Sequence, residues 1–230
     1  FDVVAGVTAA APSAYVDLTP FVSPFDSDGV VEASHAVYDA ESKFLYVLLG
    51  RIDLTKVAPD GFSILCTQSR PVIVAIDTTN DTFVDLKGTG PGGSIELVGY
   101  NPAGVTYDEP TGKVYFMFAG CNEVNADAGA DGGVGRLRFR GIEIMDVGPL
   151  KSAFVVDTTN LGYPGQPAVV DANTAVVQFG GTTFAWNRIG SKFSRAITEN
   201  LGGFAYDGAG SLIGVAKRDP NSATSPFDVV

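Results

Sequence analysis

The chain has 230 residues, with 26 acidic against 15 basic and a net charge of −11 at neutral pH. Such a charge repels phosphate backbones and excludes nucleic acid as a natural partner, and no run approaches the ~18 apolar residues of a membrane span. With 28 Gly, 13 Pro and only 18% charged residues, the composition suits short strands joined by tight turns, so an all-β fold in one domain over 1–230 is predicted.

In chain order, FDVV at 1–4 predicts a strand, 5–13 a small-residue connection and AYVDLTPF at 14–21 a second strand. Tyr15 to Leu18 repeats the aromatic-Val-Asp-Leu order of Phe83 to Leu86 and is expected in the same structural slot. The first full unit, 32–88, opens with SHAVYDAESKFLYVLLG at 34–50, a hairpin that turns after Tyr38-Asp39. A loop from Asp53 to Arg70 follows, then PVIVAID at 71–77, the turn TTND and TFVDL.

The second unit, 102–158, repeats this grammar. PAGVTYDEPTGKVYFMFAG turns after Tyr107-Asp108, where Pro110 presets φ and Gly112 tolerates a positive φ. A loop from Cys121 to about Arg138 precedes the strands GIEIMD and SAFVVD. The interval from Asp39 to Asp77 equals that from Asp108 to Asp146, 38 residues in each case. The third unit, 164–198, is compact, and the fourth, 201–230, is partial and ends on a second FDVV in the third-strand slot; 1–22 forms another partial unit. A four-stranded meander cannot bury both faces alone, so these repeats are expected to stack.

PAGVTYDEPTGKVYFMF and SHAVYDAESKFLYVLL resemble the blades of YVTN- and NHL-type β-propellers, in which a strand ending in Asp, a Pro/Gly turn and a Tyr-Val strand precede a strand such as VIVAIDTTND. The resemblance covers most of 32–217; the third and fourth copies lack the Tyr-Val pair. It implies a β-propeller of about four four-stranded antiparallel blades, with five blades or part of a longer array as alternatives. Propellers often close by mixing strands from both termini into one blade, which the duplicated FDVV complicates. The functions it implies range over binding scaffolds, surface-layer proteins, lactonases and quinone-cofactor enzymes, and no enzyme motif of that superfamily carries over.

Several residues are candidates for chemistry. His35, the sole histidine, lies near the start of a strand that would line a propeller's central channel; a packed structural role is the competing reading. Asn125, Asp127 and Asp131 place hard oxygen ligands on a glycine-rich loop and suggest Ca²⁺, although Gly129 and Arg136 stand where an EF-hand loop would have ligands. A solvated acidic turn is the alternative. Cys66 and Cys121 lie in the long loops of successive units, which adjacent blades would bring to one rim, so a disulfide is expected, with two free buried thiols as the alternative. Asn80-Asp81-Thr82 is a glycosylation acceptor pattern. Arg136, Arg138 and Arg140 alternate and are expected on one solvated strand face. Asp39, Asp108, Asp171 and Asp207 are expected to cap turns, and Trp186 and Phe184 to pack in the core.

These features favour a secreted, periplasmic or cell-surface module, processed or a fragment because it opens on Phe1. It would contact a protein or glycan through the rim loops 53–70 and 121–138. One alternative is a lactonase or related hydrolase with a carboxylate-held metal. The expected inner-strand runs HAVY, AGVTY, PAVV and GGFAY hold almost no ligands for that role. The other is a subunit that forms homo-oligomers or polymers by exchanging terminal strands.

Overall fold

The computed structural model describes residues 15–58, 60–88, 93–124, 134–147, 151–158, 160–165, 167–180, 182–188, 192–195, 201–206, 212–217 and 227–229. The amino-terminal FDVV, the proposed calcium ligands Asn125, Asp127 and Asp131, and Asp207 lie outside them. Among the described residues the fold is all-β and its sheets are antiparallel meanders.

The first sheet runs β1 (Ala33–Asp39), β2 (Phe44–Leu49), β3 (Val72–Asp77) and β4 (Thr82–Val84). β5 (Ile95–Glu96) pairs with β3 beyond β4: Val84 faces Ala75 and Ile95 faces Ile73. β4 and β5 thus share one edge as a single interrupted strand, and the excursion between them is closed by Leu86 N–H donating to Gly93 O at 3.0 Å. The second sheet begins with β6 (Pro102–Asp108) and β7 (Lys113–Phe118), is interrupted by the ribbon β8 (Cys121–Val124) and β9 (Val134–Arg138), and ends with β10 (Gly141–Asp146) and β11 (Lys151–Asp157). A third sheet contains β12 (Ala168–Val169), β13 (Thr174–Phe179), β14 (Thr182–Asn187) and β15 (Lys192–Arg195). The fourth contains β16 (Leu201–Tyr206), β17 (Leu212–Lys217) and β18 (Phe227–Val229).

Strand alternation explains how the sheets pack, because successive side chains point to opposite faces. Tyr46, Leu48, Ile73 and Ala75 face Val114, Phe116, Phe118 and Met145, forming one core between the first and second sheets. From the other face of the second sheet, Tyr115, Met117 and Ile142 meet Ala175, Val177, Phe179 and Trp186 of the third. Trp186 is fully buried, stacked on Phe193 at 5.8 Å and edge-on to Tyr115 at 6.1 Å. The first three sheets therefore stack face to face in chain order, with β1 beside β6, and β12 lies beside β16 of the fourth.

The outer face of the first sheet is covered by the segment before it. Phe21, with Val16, Leu18 and Val31, packs on Val47, Leu49, Val72, Val74 and Ile76, and its ring meets Phe83 edge-on at 4.8 Å. Residues 14–21 were expected to form a strand; residues 15–18 are irregular and Thr19–Phe21 is a 3₁₀ turn. Asp17 accepts from Thr19 N–H at 2.9 Å and from its hydroxyl, so the side chain offers the backbone a turn in place of a ladder.

Two further expectations are corrected. Residues 121–138 are not wholly a loop, since β8 and β9 pair there through Cys121 and Arg138. The three arginines do not share one face: Phe139, at φ 56°, breaks the alternation. Arg136 and Arg138 remain exposed, whereas Arg140 turns inward and donates from Nε to Ala119 O at 2.8 Å.

Candidate functional site

The rim where the long loops lie begins at two matched corners. Arg51 and Gly120, 69 positions apart like the two hairpin aspartates, both leave their strands with positive φ, 52° and 87°. Gly120 is required there, because a Cβ would lie 2.6 Å from Arg138 O. Past these corners the loop after β2 and the ribbon after β7 come together. Cys66 and Cys121 form a disulfide with Cα atoms 5.0 Å apart. Cys66 N–H donates to Asn122 O at 2.9 Å and Asn122 N–H to Ile64 O at 2.8 Å, a parallel bridge running beside the disulfide. The expected pairing of the two cysteines is present.

Within the loop, Val57 and Ile64 face each other across a small turn capped by Asp60, whose carboxylate accepts from Phe62 N–H, Ser63 N–H and the Ser63 hydroxyl. Phe62 stands 88% exposed at this turn, and Val124 is 68% exposed at the end of β8. Leu54 is also exposed on the first of these loops, and Phe25 on the segment that precedes β1. Phe25 and Val124 help to line a pocket of about 370 Å³, together with Asp53, Lys56, Cys66 and Thr67 among others.

The base of the loop is pinned by carboxylates. Asp53, 1% exposed, accepts from Ser27 and Thr55 through both their N–H and hydroxyl groups. The Thr55 hydroxyl foremost, against the cost of burial, holds the Asp53 carboxyl down at about 2. Asp28 accepts from Val30 and Leu54 N–H, and Glu32 accepts from Ile52 N–H. Asp26 accepts from Asp28 N–H at 3.2 Å, while its Oδ2 is buried without a partner. Burial, and then the negative charges of Asp28 and Glu32, push Asp26 up to about 6. One oxygen from each of Asp26, Asp28 and Asp53 lies within 4.8 Å of the others, so these residues could hold a cation. This cluster went unread in the sequence; the only local signal was Asp-Ser-Asp-Gly at 26–29, and Asp53 joins it from a different loop.

The other predicted residues are dispersed. His35 lies on β1 opposite Leu48, half-buried, with Nδ1 lacking a hydrogen-bond partner and burial lowering its pKa. Asn80 is exposed in the β3–β4 turn, where it donates to Asp77 at 3.2 Å and accepts from Thr82 N–H at 3.1 Å. The hairpin aspartates cap turns: Asp39 accepts from Glu41 N–H and the Ser42 hydroxyl, Asp108 from the Thr111 hydroxyl, and Asp171 from the N–H groups of Asn173 and Thr174. No described helix is long and apolar enough to cross a membrane.

Neither protein-family models nor curated proteins match this sequence. Among solved structures, the extracellular domain of a hybrid two-component system from B. thetaiotaomicron is similar at 11% identity with a TM-score of 0.43, over 84% of this chain. The match spans 29% of that extracellular-domain chain.

Proposed function

We propose that the chain is a single-domain β-propeller of about four blades that acts as an extracellular or surface-exposed binding module. Successive meanders stacked face to face, with β1 beside β6 and β12 beside β16, are the packing that blades around an axis require. The disulfide fits an oxidising compartment. The contact surface is the rim formed by residues 53–70 and 121–138, and its partner is a protein or a glycan.

One observation carries this reading. The disulfide and the parallel bridge hold two loops rigidly together while Phe62 and Val124 project from them into solvent. Rigid loops with exposed apolar side chains are what a recognition surface needs, since little entropy remains to be lost on binding. To test it, the chain is immobilised and screened against a defined panel of extracellular proteins and glycans, then rescreened as the Phe62→Asp/Val124→Asp variant. The expected result is a binder whose affinity falls by roughly ten-fold or more in the variant. Binders that are indifferent to both substitutions would place the contact surface elsewhere.

A further inference from the structure

The junction between the first and second sheets and the junction between the second and third are built from the same parts, and only one of them is filled. An offset of 69 superposes Asp39, Ser42 and Tyr46 on Asp108, Thr111 and Tyr115. In each hairpin the aspartate accepts from the hydroxyl three residues on, and the tyrosine follows on the second strand. At the second junction a guanidinium from the third sheet completes the set. Arg188 Nη1 lies 3.3 Å from Asp108 Oδ2, the guanidinium carbon lies 5.3 Å from the centre of the Tyr115 ring, and Nη2 donates to Ala172 O at 2.6 Å. Both partners of the pair are buried, Arg188 at 6% and Asp108 at 9% exposure.

The residue in the corresponding place at the first junction is Val147. Arg188 follows Asn187, the last paired residue of its strand, and its N–H donates to Asn173 O, one residue before β13. Val147 likewise follows Asp146, and its N–H donates to Gly112 O, one residue before β7. Valine ends at its methyl groups and cannot reach across. What lies there is a groove of about 640 Å³, lined by Asp39, Ser42, Tyr46, Tyr107, Glu109 and Val147 among others. It opens at the hairpin-turn end of the strands, opposite the disulfide rim, so it is independent of the rim reading.

The groove keeps an anionic floor. Asp39 is 5% exposed and Tyr46 2%, and none of the ion pairs among the described residues involves Asp39. Burial opposes ionisation of Asp39, but bonds from Ser42, the Glu41 N–H and the Tyr107 hydroxyl outweigh it and lower its pKa. Burial first, and then the charge on Asp39, pushes the phenols of Tyr46 and Tyr107 up to about 12. Glu41 and Glu109 add negative charge at the mouth. Hence a buried carboxylate faces aromatic rings in a space whose repeat-related twin holds a guanidinium.

We propose that this groove binds an alkyl guanidinium group, with Asp39 as its counter-ion and the Tyr46 ring beside it, as Asp108 and Tyr115 hold Arg188. The group comes from a free arginine-like molecule or from an arginine side chain of a peptide, which share this chemistry.

The test titrates the whole chain with N-acetyl-L-arginine amide and with a short arginine-containing peptide, following the tyrosine resonances by NMR. The corresponding citrulline and lysine amides serve as controls. Binding is expected to perturb Tyr46 and Tyr107, to weaken roughly ten-fold or more with neutral citrulline, and to weaken similarly in Asp39→Asn. Tighter binding of the peptide than of the amide identifies a peptide source, and equal binding a small molecule. Val147→Arg should fill the groove from within, abolish probe binding and raise the melting temperature. The assignment is overturned if no arginine probe binds at millimolar concentration, if citrulline or lysine binds as tightly, or if folded Val147→Arg still binds the probe. If Val147→Arg does not fold, undiminished binding by Asp39→Asn overturns it alone.

Discussion

Removing Arg188 leaves the buried Asp108 carboxylate at the second junction without the cation that pairs with it. Asp108 and Arg188 are both almost fully buried, and removing one member of such a pair costs about 3 kcal/mol, because the other charge stays behind without compensation. Arg188→Met keeps the apolar stem and isolates that term. Urea unfolding is expected to show a lower midpoint, equivalent to that loss of stability at an unchanged m-value, and an unchanged midpoint would mean that water reaches Asp108 freely. Asp26 makes the opposite prediction. Its folded pKa of about 6 lies above the ordinary 3.8, so folding favours the protonated acid. Its contribution is fully present below about pH 3.8 and is lost as pH rises through about 6. Asp26→Asn should therefore stabilise the chain at pH 7 by about 1 kcal/mol, after discounting for partial exposure, and by nothing at pH 4. Denaturation with EDTA present measures this without stray cations neutralising the cluster. At this scale the sequence discloses what is local. Asp39, Asp108 and Asp171 are legible as turn caps because their partners lie two or three residues on, whereas Asp53 reaches Ser27 across 26 residues and leaves no local trace. The equivalence of Val147 and Arg188 is hidden for a related reason. The third unit has no ribbon between its second and third strands, so no constant offset relates the two positions and only the strand pairing aligns them.

Among the elements, the strands of the second sheet were the most legible: GIEIMD at 141–146 is β10, and 102–108 and 113–118 flank the predicted turn. Their alternation encodes burial on both faces, and the turn chemistry fixes their ends. The positive-φ position of that turn, Gly112 at 61°, is matched by Lys43 at 64° in the first hairpin, so the repeat preserved a backbone shape through a residue that tolerates it less well. The ribbon β8–β9 was missed because its strands are too short and too polar to show a period, and what orders them is the disulfide and the bridge to Ile64. That dependence is measurable. Cys66 and Cys121 are 55 residues apart, a loop whose closure contributes about 4 kcal/mol in the chain-entropy account. The Cys66→Ser/Cys121→Ser variant should lose roughly that stability and melt roughly 10 °C lower. Limited proteolysis should then cut first within 53–70. A melting temperature equal to that of the parent chain would assign the order of this rim to the backbone bridge alone.

For the whole molecule, the repeats and their need to stack were legible, but which side chains meet across each junction was not, since a sequence period says nothing about which faces come together. The structure shows that neither face of the second sheet is self-sufficient: Val114, Phe116 and Phe118 are buried against the first sheet, and Tyr115 and Met117 against the third. All five are fully buried, and exposing even one such face would forfeit several kcal/mol of apolar burial. Glu143 adds a tie between units, its carboxylate accepting from Val98 and Gly99 N–H in the segment that crosses from the first sheet to the second. Gly99 has no room for a side chain, as a Cβ would lie 1.9 Å from the Phe118 ring. Units locked in this way should unfold together, as one domain does. Trp186, the sole tryptophan, reports the packing between the second and third sheets through its fluorescence, while far-UV circular dichroism reports all the strands. The two signals are expected to trace one denaturant transition with a single midpoint. If tryptophan exposure precedes the loss of strand signal, the third sheet detaches while the first two remain folded, and the stack is a chain of separable layers instead of one cooperative unit.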